Sequence, residues 1–397
     1  MDQKQSNSIM VYSTVWCPDC KRAKRFFAEQ RVPYVNIDIE HDAEAMAFVE
    51  KVNHGLHSIP TIVFPDGSSL VEPSNAQLAE KLGLQTQAQL ECYDSIVIGG
   101  GPTGLTAALY MAREGLDVLV IEQAGLGGQV GMTQTLDNYP GFEHGITGSE
   151  FADRLTHQAR RFGVEILQAQ AAVDLSFDGT YWCVTTSSGA QYGTKAILLA
   201  TGARYRKLNV PGEDDLIGLN VHFCATCDGA FYKGKKVLVV GGGNSGFEEG
   251  LFLTKFASQV DIVEFNAQVK ASSILQQKVA EQPNMQVVTH HAIKALRGKH
   301  QLEAIVVEDR STGEMKEWHY DGLFVFIGLT PNHELVKGQA DLDPAGFILT
   351  DKTLMTSLPG VFAAGDVRAG STKQAASAAG EGATAALMIR EYLKEVG

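Results

Sequence analysis

The chain has 397 residues, 44% of them hydrophobic and 20% charged, enough for two to three domains each with its own core. Forty-six acidic against 33 basic residues leave a net charge of −13, which argues against nucleic acid or an anionic membrane as the main partner, since clustered cations hold both. No run of about 18 apolar residues offers a membrane span, and the start MDQKQSNSIMVYS lacks an apolar signal core, so a cytoplasmic protein is expected.

Residues 9–15 (IMVYSTV) read as a strand leading into Cys17, Pro18, Asp19 and Cys20. KRAKRFFAEQ has helical apolar spacing, and PYVNIDI (33–39) reads as a second strand. A helix over 43–52 precedes SIPTIVFPDGS, a strand–turn–strand, and a last helix falls near 75–83. This βαβαββα order makes residues 1–84 one small α/β domain. QTQAQLEC (85–92) is polar and reads as a flexible linker, whose r.m.s. span of about 17 Å would keep its two neighbours at high effective concentration.

A second pattern starts at 93 and is then repeated. YDSIVIGG is a strand, GPTGLTAALYMAREG a glycine turn opening a helix, and LDVLVIE the next strand. KKVLVVGG, GNSGFEEGLFLTKFA and QVDIVE follow the same script from 235. The turns Gly99-x-Gly101-x-x-Gly104 and Gly241-x-Gly243-x-x-Gly246 begin 142 residues apart (241 − 99), with Asn244 and Ser245 inside the second. Each has an acid 23 positions after its first glycine, Glu122 (122 − 99) and Glu264 (264 − 241). The first glycine permits a tight turn, the second lets backbone approach a pyrophosphate, and the third lets helix and strand touch. The helix N-terminus donates N–H groups to the phosphates, and the acid accepts from ribose hydroxyls.

Two cradles predict two dinucleotides, most simply a resident flavin and an exchanging nicotinamide. The fold class expected is α/β, the small N-terminal domain being followed by two Rossmann-like three-layer domains. Residues 93–208 with 323–397 would form the FAD unit, and 209–322 the nicotinamide unit. The strand VFAA ends in Gly365-Asp366, a partner for a ribityl chain or pyrophosphate. A 2′-phosphate would face the carboxylate of Glu264-Phe265-Asn266, with Lys270 the only nearby cation, so NADH is expected over NADPH.

Four of six cysteines form two Cys-x-x-Cys pairs, a redox pattern in a long chain without an export signal. Cys17 opens a helix bearing Lys21 and Arg22 in its first turn, which favours the thiolate and makes Cys17 the nucleophile. Cys20, one turn on, would resolve the mixed disulfide. Zinc needs further ligands at suitable spacing, and none is adjacent, so no metal is expected. Cys224-Ala225-Thr226-Cys227-Asp228 precedes the second cradle, where Asp228 is placed to exchange a proton with a neighbouring thiol. Cys92 and Cys183 read as inert, and His290/His291 as strand-end decoration.

Residues 93–397 resemble the low-molecular-weight thioredoxin reductases and the flavoprotein of alkyl hydroperoxide reductase. The resemblance is carried by GGGPTG, GLGGQ (125–129), DNYPG (137–141), ATGA (200–203), CATCDG, GGGNSG, IGLTPN (327–332), FAAGD and KQAASAAGEG (373–382). It implies FAD contacts from Gly99, Gly101, Gly104, Glu122, Gly128, Gln129, Asn138, Gly365, Asp366, Gln374 and Ala375. It also implies that Cys227 lies against the isoalloxazine, Cys224 exchanges with the partner disulfide and Asp228 handles protons, in a homodimer. Glu264-Phe265-Asn266 replaces the His-Arg-Arg of the NADPH-linked reductases, and VEFNAQVKAS looks more like the NADH-linked hydroperoxide reductase flavoprotein.

Residues 9–83 resemble a glutaredoxin-like redoxin, closest to mycoredoxin, through YSTVWCPDC, SIPTIVFPDGS and EPS. The resemblance implies a thioredoxin fold, a cis-Pro60 beside the dithiol and backbone groups of Thr61 offered to a substrate chain. DGSSLVEPS replaces the Gly-Gly-acidic ending through which ordinary glutaredoxins bind glutathione. The expected function is a disulfide reductase relaying electrons from NAD(P)H through FAD and Cys224/Cys227 to Cys17/Cys20, and on to a protein or low-molecular-weight disulfide. The alternative is an NADH-linked reductant of a peroxiredoxin.

Overall fold

The computed structural model describes residues 8–14, 16–133, 136, 138–299 and 301–396, without the side chains of Thr226 and Cys227. Asp137 of the DNYPG stretch lies outside the described residues. The N-terminal unit is a four-stranded sheet in the order Tyr34–Asp38, Ile9–Ser13, Thr61–Val63, Ser69–Val71, parallel at the first pairing and antiparallel at the other two. The helix Pro18–Glu29 starts where Pro at its first position needs no N–H partner, and it buries Cys20, Ala23, Phe26 and Phe27 along one face. Asp42 caps the helix Ala43–Val52 by accepting from Glu44 N and Ala45 N, and a Ser74/Gln77 capping box starts Asn75–Lys81.

The second unit has a parallel core of strands Glu165–Leu167, Val118–Ile121, Cys92–Ile98 and Gln191–Leu199, with Val361–Ala363 also pairing parallel to Gln191–Leu199. Its apolar strands are covered on one face by helices Pro102–Arg113, Gly148–Arg161 and Ala375–Val396 and on the other by Leu175, Trp182, Val336 and Ile348, and burial on both faces is why they read as continuous Val/Ile/Leu runs. The third unit is a five-stranded parallel sheet in the order Val221–His222, Gly322–Val325, Lys236–Val240, Gln259–Val263, Met285–Val288. A three-stranded antiparallel sheet, residues 291–318, packs on the face opposite the helices Asn244–Leu253 and Ser273–Ala280.

Two expectations change. Gly322–Val325 pairs parallel with Lys236–Val240 and buries Leu323 and Phe324 there, so the return crossing follows Val325 rather than residue 322. The stretch 85–92 is anchored rather than free. Glu165 accepts from Gln85 Nε2 at 2.5 Å, Gln89 N at 2.8 Å and Tyr93 Oη at 2.5 Å, and Cys92 already belongs to a strand. One carboxylate gathers donors that composition alone assigned to solvent.

The small domain also touches the second unit through the C-terminal end of its first helix. Gly125 N donates to Glu29 O at 2.7 Å and Gln30 Nε2 to Gln123 O at 3.0 Å. The Arg31 guanidinium, on a residue with φ +56°, donates to the carbonyls of Leu126 and Gly128. Cys17 sits at the other end of that 12-residue helix, roughly 18 Å away at 1.5 Å per residue.

Candidate functional site

At the first dithiol, Cys17 is the N-cap residue of Pro18–Glu29, and its Sγ accepts from Cys20 N at 3.0 Å. The Ile59–Pro60 bond is cis, and Ile59 O lies 3.7 Å from Cys17 Sγ. Thr61 places its hydroxyl inward, donating to Ser58 O at 2.7 Å and accepting from Asn53 Nδ2 at 2.9 Å, while its strand pairs on both edges. Arg22, one of the two first-turn cations, spends its guanidinium on Asp19, Asn75 Oδ1 and Pro73 O. Burial, then the hydrogen bond with Cys17, pushes the Cys20 thiol up to about 12. The two sulfurs are thereby made unequal. With reduced protein at about pH 8, iodoacetamide should label Cys17 and leave Cys20 as the thiol, read by peptide mass; equal labelling would contradict this division of roles.

The two glycine turns superimpose in their chemistry. Gly99 and Gly241 take φ of +114° and +125°, and a Cβ on Gly104 or Gly246 would overlap the carbonyl oxygen of Gly99 or Gly241 respectively. Gly101 and Gly243 are the N-cap residues of the following helices. Each acid closes its own turn, Gly100 N donating to Glu122 Oε2 at 2.6 Å and Gly242 N to Glu264 Oε2 at 2.6 Å. The carboxylate oxygens keep further lone pairs for ribose hydroxyls. Burial holds the Glu122 carboxyl above the usual range, opposed by the N–H groups of Ala124 and Gly100 and by Arg31.

Around the first turn a cavity of about 280 Å³ is lined by Gly99, Glu122, Gln123, Gln170, Thr201 and Asn332. A Cβ on Gly128 would come within 3.3 Å of Gly101 Cα, and Gln129 Nε2 donates to Ala203 O. Asn138 Nδ2 reaches Gln374 Oε1 at 3.1 Å, just before Ala375 opens the last helix. Asp366 Oδ1 is buried without a partner, and burial raises its carboxyl, opposed by Lys373. An orphaned buried oxygen beside crowded glycines fits FAD, whose ribityl hydroxyls would satisfy it. FAD, when bound, supplies two-electron exchange between a dinucleotide and a disulfide.

At the second turn, Asn244 and Ser245 are exposed at the helix start, and Asn244 Oδ1 accepts from Ser272 N at 2.8 Å. Glu264 Oε1 accepts from Asn266 N at 2.9 Å and Asn266 Nδ2 at 2.6 Å. Lys270 is not the only cation here. Arg310 lies 3.6 Å from the Phe265 ring centroid and donates to Phe265 O at 2.8 Å. Arg310 is brought across from another strand pair, so local spacing carried no sign of it.

Cys224 is disulfide-bonded and is the N-cap residue of the short helix Ala225–Asp228; the Cys227 side chain lies outside the described residues. Three residues that sequence reasoning did not single out surround this segment. Tyr205 stacks on Phe223 with centroids 5.2 Å apart and planes 15° apart. Its hydroxyl is pushed up to about 12, first by burial and then by the charges of Asp366, Glu249 and Asp228. Glu249 accepts from the Ala225 N–H, keeps a buried, unpartnered Oε2 and is raised by burial. His222 lies 3.3 Å from Asp228 through Nδ1. Tyr205 thus packs on the residue before Cys224, from a strand whose Ala203 O accepts from Gln129 Nε2. Among the described residues no His/Cys/Asp/Glu cluster could hold a metal, and no helix is long and apolar enough to cross a membrane.

Residues 93–382 match the family described as pyridine nucleotide-disulphide oxidoreductase, and residues 9–69 match glutaredoxin. The thioredoxin reductase of Bacillus subtilis is 38% identical over 305 residues, covering 77% of this chain and 96% of that protein. The alkyl hydroperoxide reductase F protein of Pseudomonas putida is 35% identical over 390 residues, 95% of this chain and 74% of that one. The bifunctional thioredoxin reductase/thioredoxin of Mycobacterium leprae is 40% identical over 304 residues, 76% of this chain and 66% of that protein. The crystal structure of thioredoxin reductase from Streptococcus pyogenes aligns with TM-score 0.72 at 38% identity, over 77% of this chain and 99% of that one. With two dinucleotide cradles, a Cys-x-x-Cys pair ahead of the second and a redoxin ahead of both, the chain belongs to the pyridine nucleotide-disulphide oxidoreductases as a thioredoxin-reductase-like, FAD-binding enzyme with an N-terminal glutaredoxin domain.

Proposed function

We propose that this enzyme takes reducing equivalents from NADH to Cys224/Cys227, passes them to Cys17/Cys20 of its own redoxin domain, and so reduces an external protein or low-molecular-weight disulfide. We take it to work as a cytoplasmic homodimer. The supporting observation is Tyr205, which stacks on Phe223 next to Cys224 and lies in the strand Ala203–Tyr205, whose Ala203 O accepts from Gln129 Nε2 of the first cradle. That proximity suits electron delivery from the first cradle to Cys224. The relay then needs only thiol–disulfide exchange, in which the Cys224 thiolate attacks the redoxin disulfide and Cys227 resolves the mixed species. The redoxin touches the reductase through Glu29–Arg31, opposite the Cys17 end of the helix, which leaves the Cys17 mouth free of those contacts.

NADH is favoured because Glu264, held in place by three N–H donors, would face a 2′-phosphate with another acceptor and no donor. Arg310 is committed to Phe265. The expected preference is at least about tenfold in kcat/KM for NADH over NADPH, roughly 1.4 kcal/mol. Anaerobic turnover with each dinucleotide, against a panel of oxidised acceptors, tests both parts. Equal efficiency, or preference for NADPH, would remove the nucleotide reading. Sustained turnover only with a peroxiredoxin would favour the second reading, which the 95% coverage by the hydroperoxide reductase relative supports.

A further inference from the structure

His222 stands two residues before Cys224, at the end of the strand Val221–His222, and only 6% of it is exposed. Its Nδ1 lies 3.3 Å from Asp228 Oδ2, and its Nε2 lies 2.7 Å from the Tyr232 hydroxyl. The ring is clamped by Phe324, with centroids 5.1 Å apart, and by the edge of Tyr232 at 5.4 Å. Burial, with the charges of Asp228 and Asp321, raises the Tyr232 hydroxyl well above its ordinary value, so that residue stays an O–H donor. Asp228 Oδ2 is the acceptor facing the ring, which leaves Oδ1 as the oxygen that carries and gives up a proton. The tautomer that satisfies both neighbours carries its proton on Nδ1 toward Asp228 and receives the Tyr232 O–H at Nε2.

We propose that His222 is a positioning residue for the proton step at Cys224/Cys227, acting through Asp228. Reducing one disulfide to two thiols consumes two electrons and two protons. A hydride equivalent from the reduced cofactor carries both electrons and one proton, and the second proton must come from a protein group. Asp228, its side chain 15% exposed, gives that proton to the departing sulfur and regains one from solvent. The imidazole, held on three sides, fixes the direction in which the carboxyl group points. This rests on the proposed disulfide-reductase function and adds to it a residue that does not touch the reacting sulfur.

The test is a double-mutant cycle in the full-length, FAD-loaded protein. Asp228→Asn should lower disulfide turnover by about a hundredfold, in the range of lost general-acid catalysis. His222→Phe should lower it by roughly tenfold, and the double variant should be no slower than Asp228→Asn alone, as expected for residues acting as a unit. His222→Asn, whose side-chain amide can replace the Nδ1 donor, should stay within about threefold of the parent and also guards against a folding defect in His222→Phe. A second readout does not use turnover. In dithiothreitol-reduced protein, the pH profile of iodoacetamide alkylation at Cys224 should move in His222→Phe and not move further once Asp228 is Asn. Losses that multiply in the double variant, equal effects of Asn and Phe, or an alkylation profile insensitive to His222 would each overturn the proposal. Failure of NADH to bleach the flavin of the unmodified protein would instead overturn the proposed function.

Discussion

Cys17→Ser should lower disulfide reduction by at least about a thousandfold, the scale on which a lost nucleophile is felt, while NADH oxidation by an artificial electron acceptor persists. The two rates separate because Cys17 lies at the exit of the relay, in a domain with its own sheet and core. An acceptor served directly at the flavin never meets that core. Cys20→Ser should behave differently. Cys17 Sγ remains able to attack, but the residue one turn away can no longer close the ring, so a covalent Cys17–substrate species should accumulate and be visible by non-reducing mass spectrometry. Burial and the neighbouring sulfur keep Cys20 in the thiol form until Cys17 has reacted, which enforces the order of the two steps. If Cys17→Ser left disulfide turnover intact, the substrate would be served by Cys224 directly, and the redoxin would be a passenger.

A paired substitution separates the two cradles. Gly104→Val should yield protein without flavin colour, whereas Gly246→Val should keep the colour and lose at least about a hundredfold in the rate of bleaching by NADH. The cause is the same in both turns. A Cβ at Gly104 would overlap Gly99 O and sit 3.1 Å from Gly99 C, and one at Gly246 would overlap Gly241 O and sit 3.0 Å from Gly241 C. These neighbours are backbone, so the helix must back away from its strand, and overpacking of this kind costs about 1–3 kcal/mol. A displaced helix N-terminus no longer presents its N–H groups to a pyrophosphate. Flavin content is read from visible absorbance and bleaching from anaerobic mixing. Colour lost in Gly246→Val and kept in Gly104→Val would reverse the assignment of the cradles.

Features written within about 25 residues were legible in the sequence. Each glycine turn and its acid span a single strand–helix–strand unit, and each dithiol occupies one helical turn, so spacing alone determined the cradles, the cysteine pairs and the α/β class. The helix Ala43–Val52 was legible to the residue, because Asp42 and the apolar period are both local signals. Tertiary structure alone decided what gathers around the chemistry. Tyr205 meets Phe223 across a chain crossing, Glu165 collects donors from 85–93, Arg310 crosses to Phe265 from a distant hairpin, and Gly322–Val325 joins the second sheet. His222 is near Asp228 in sequence, yet its role depends on Tyr232 and on Phe324 about a hundred residues away to hold the ring. Such partners leave no period or spacing in the chain, since an ion pair or ring contact needs only proximity in space, and that is set by the way the sheets and helices close on one another.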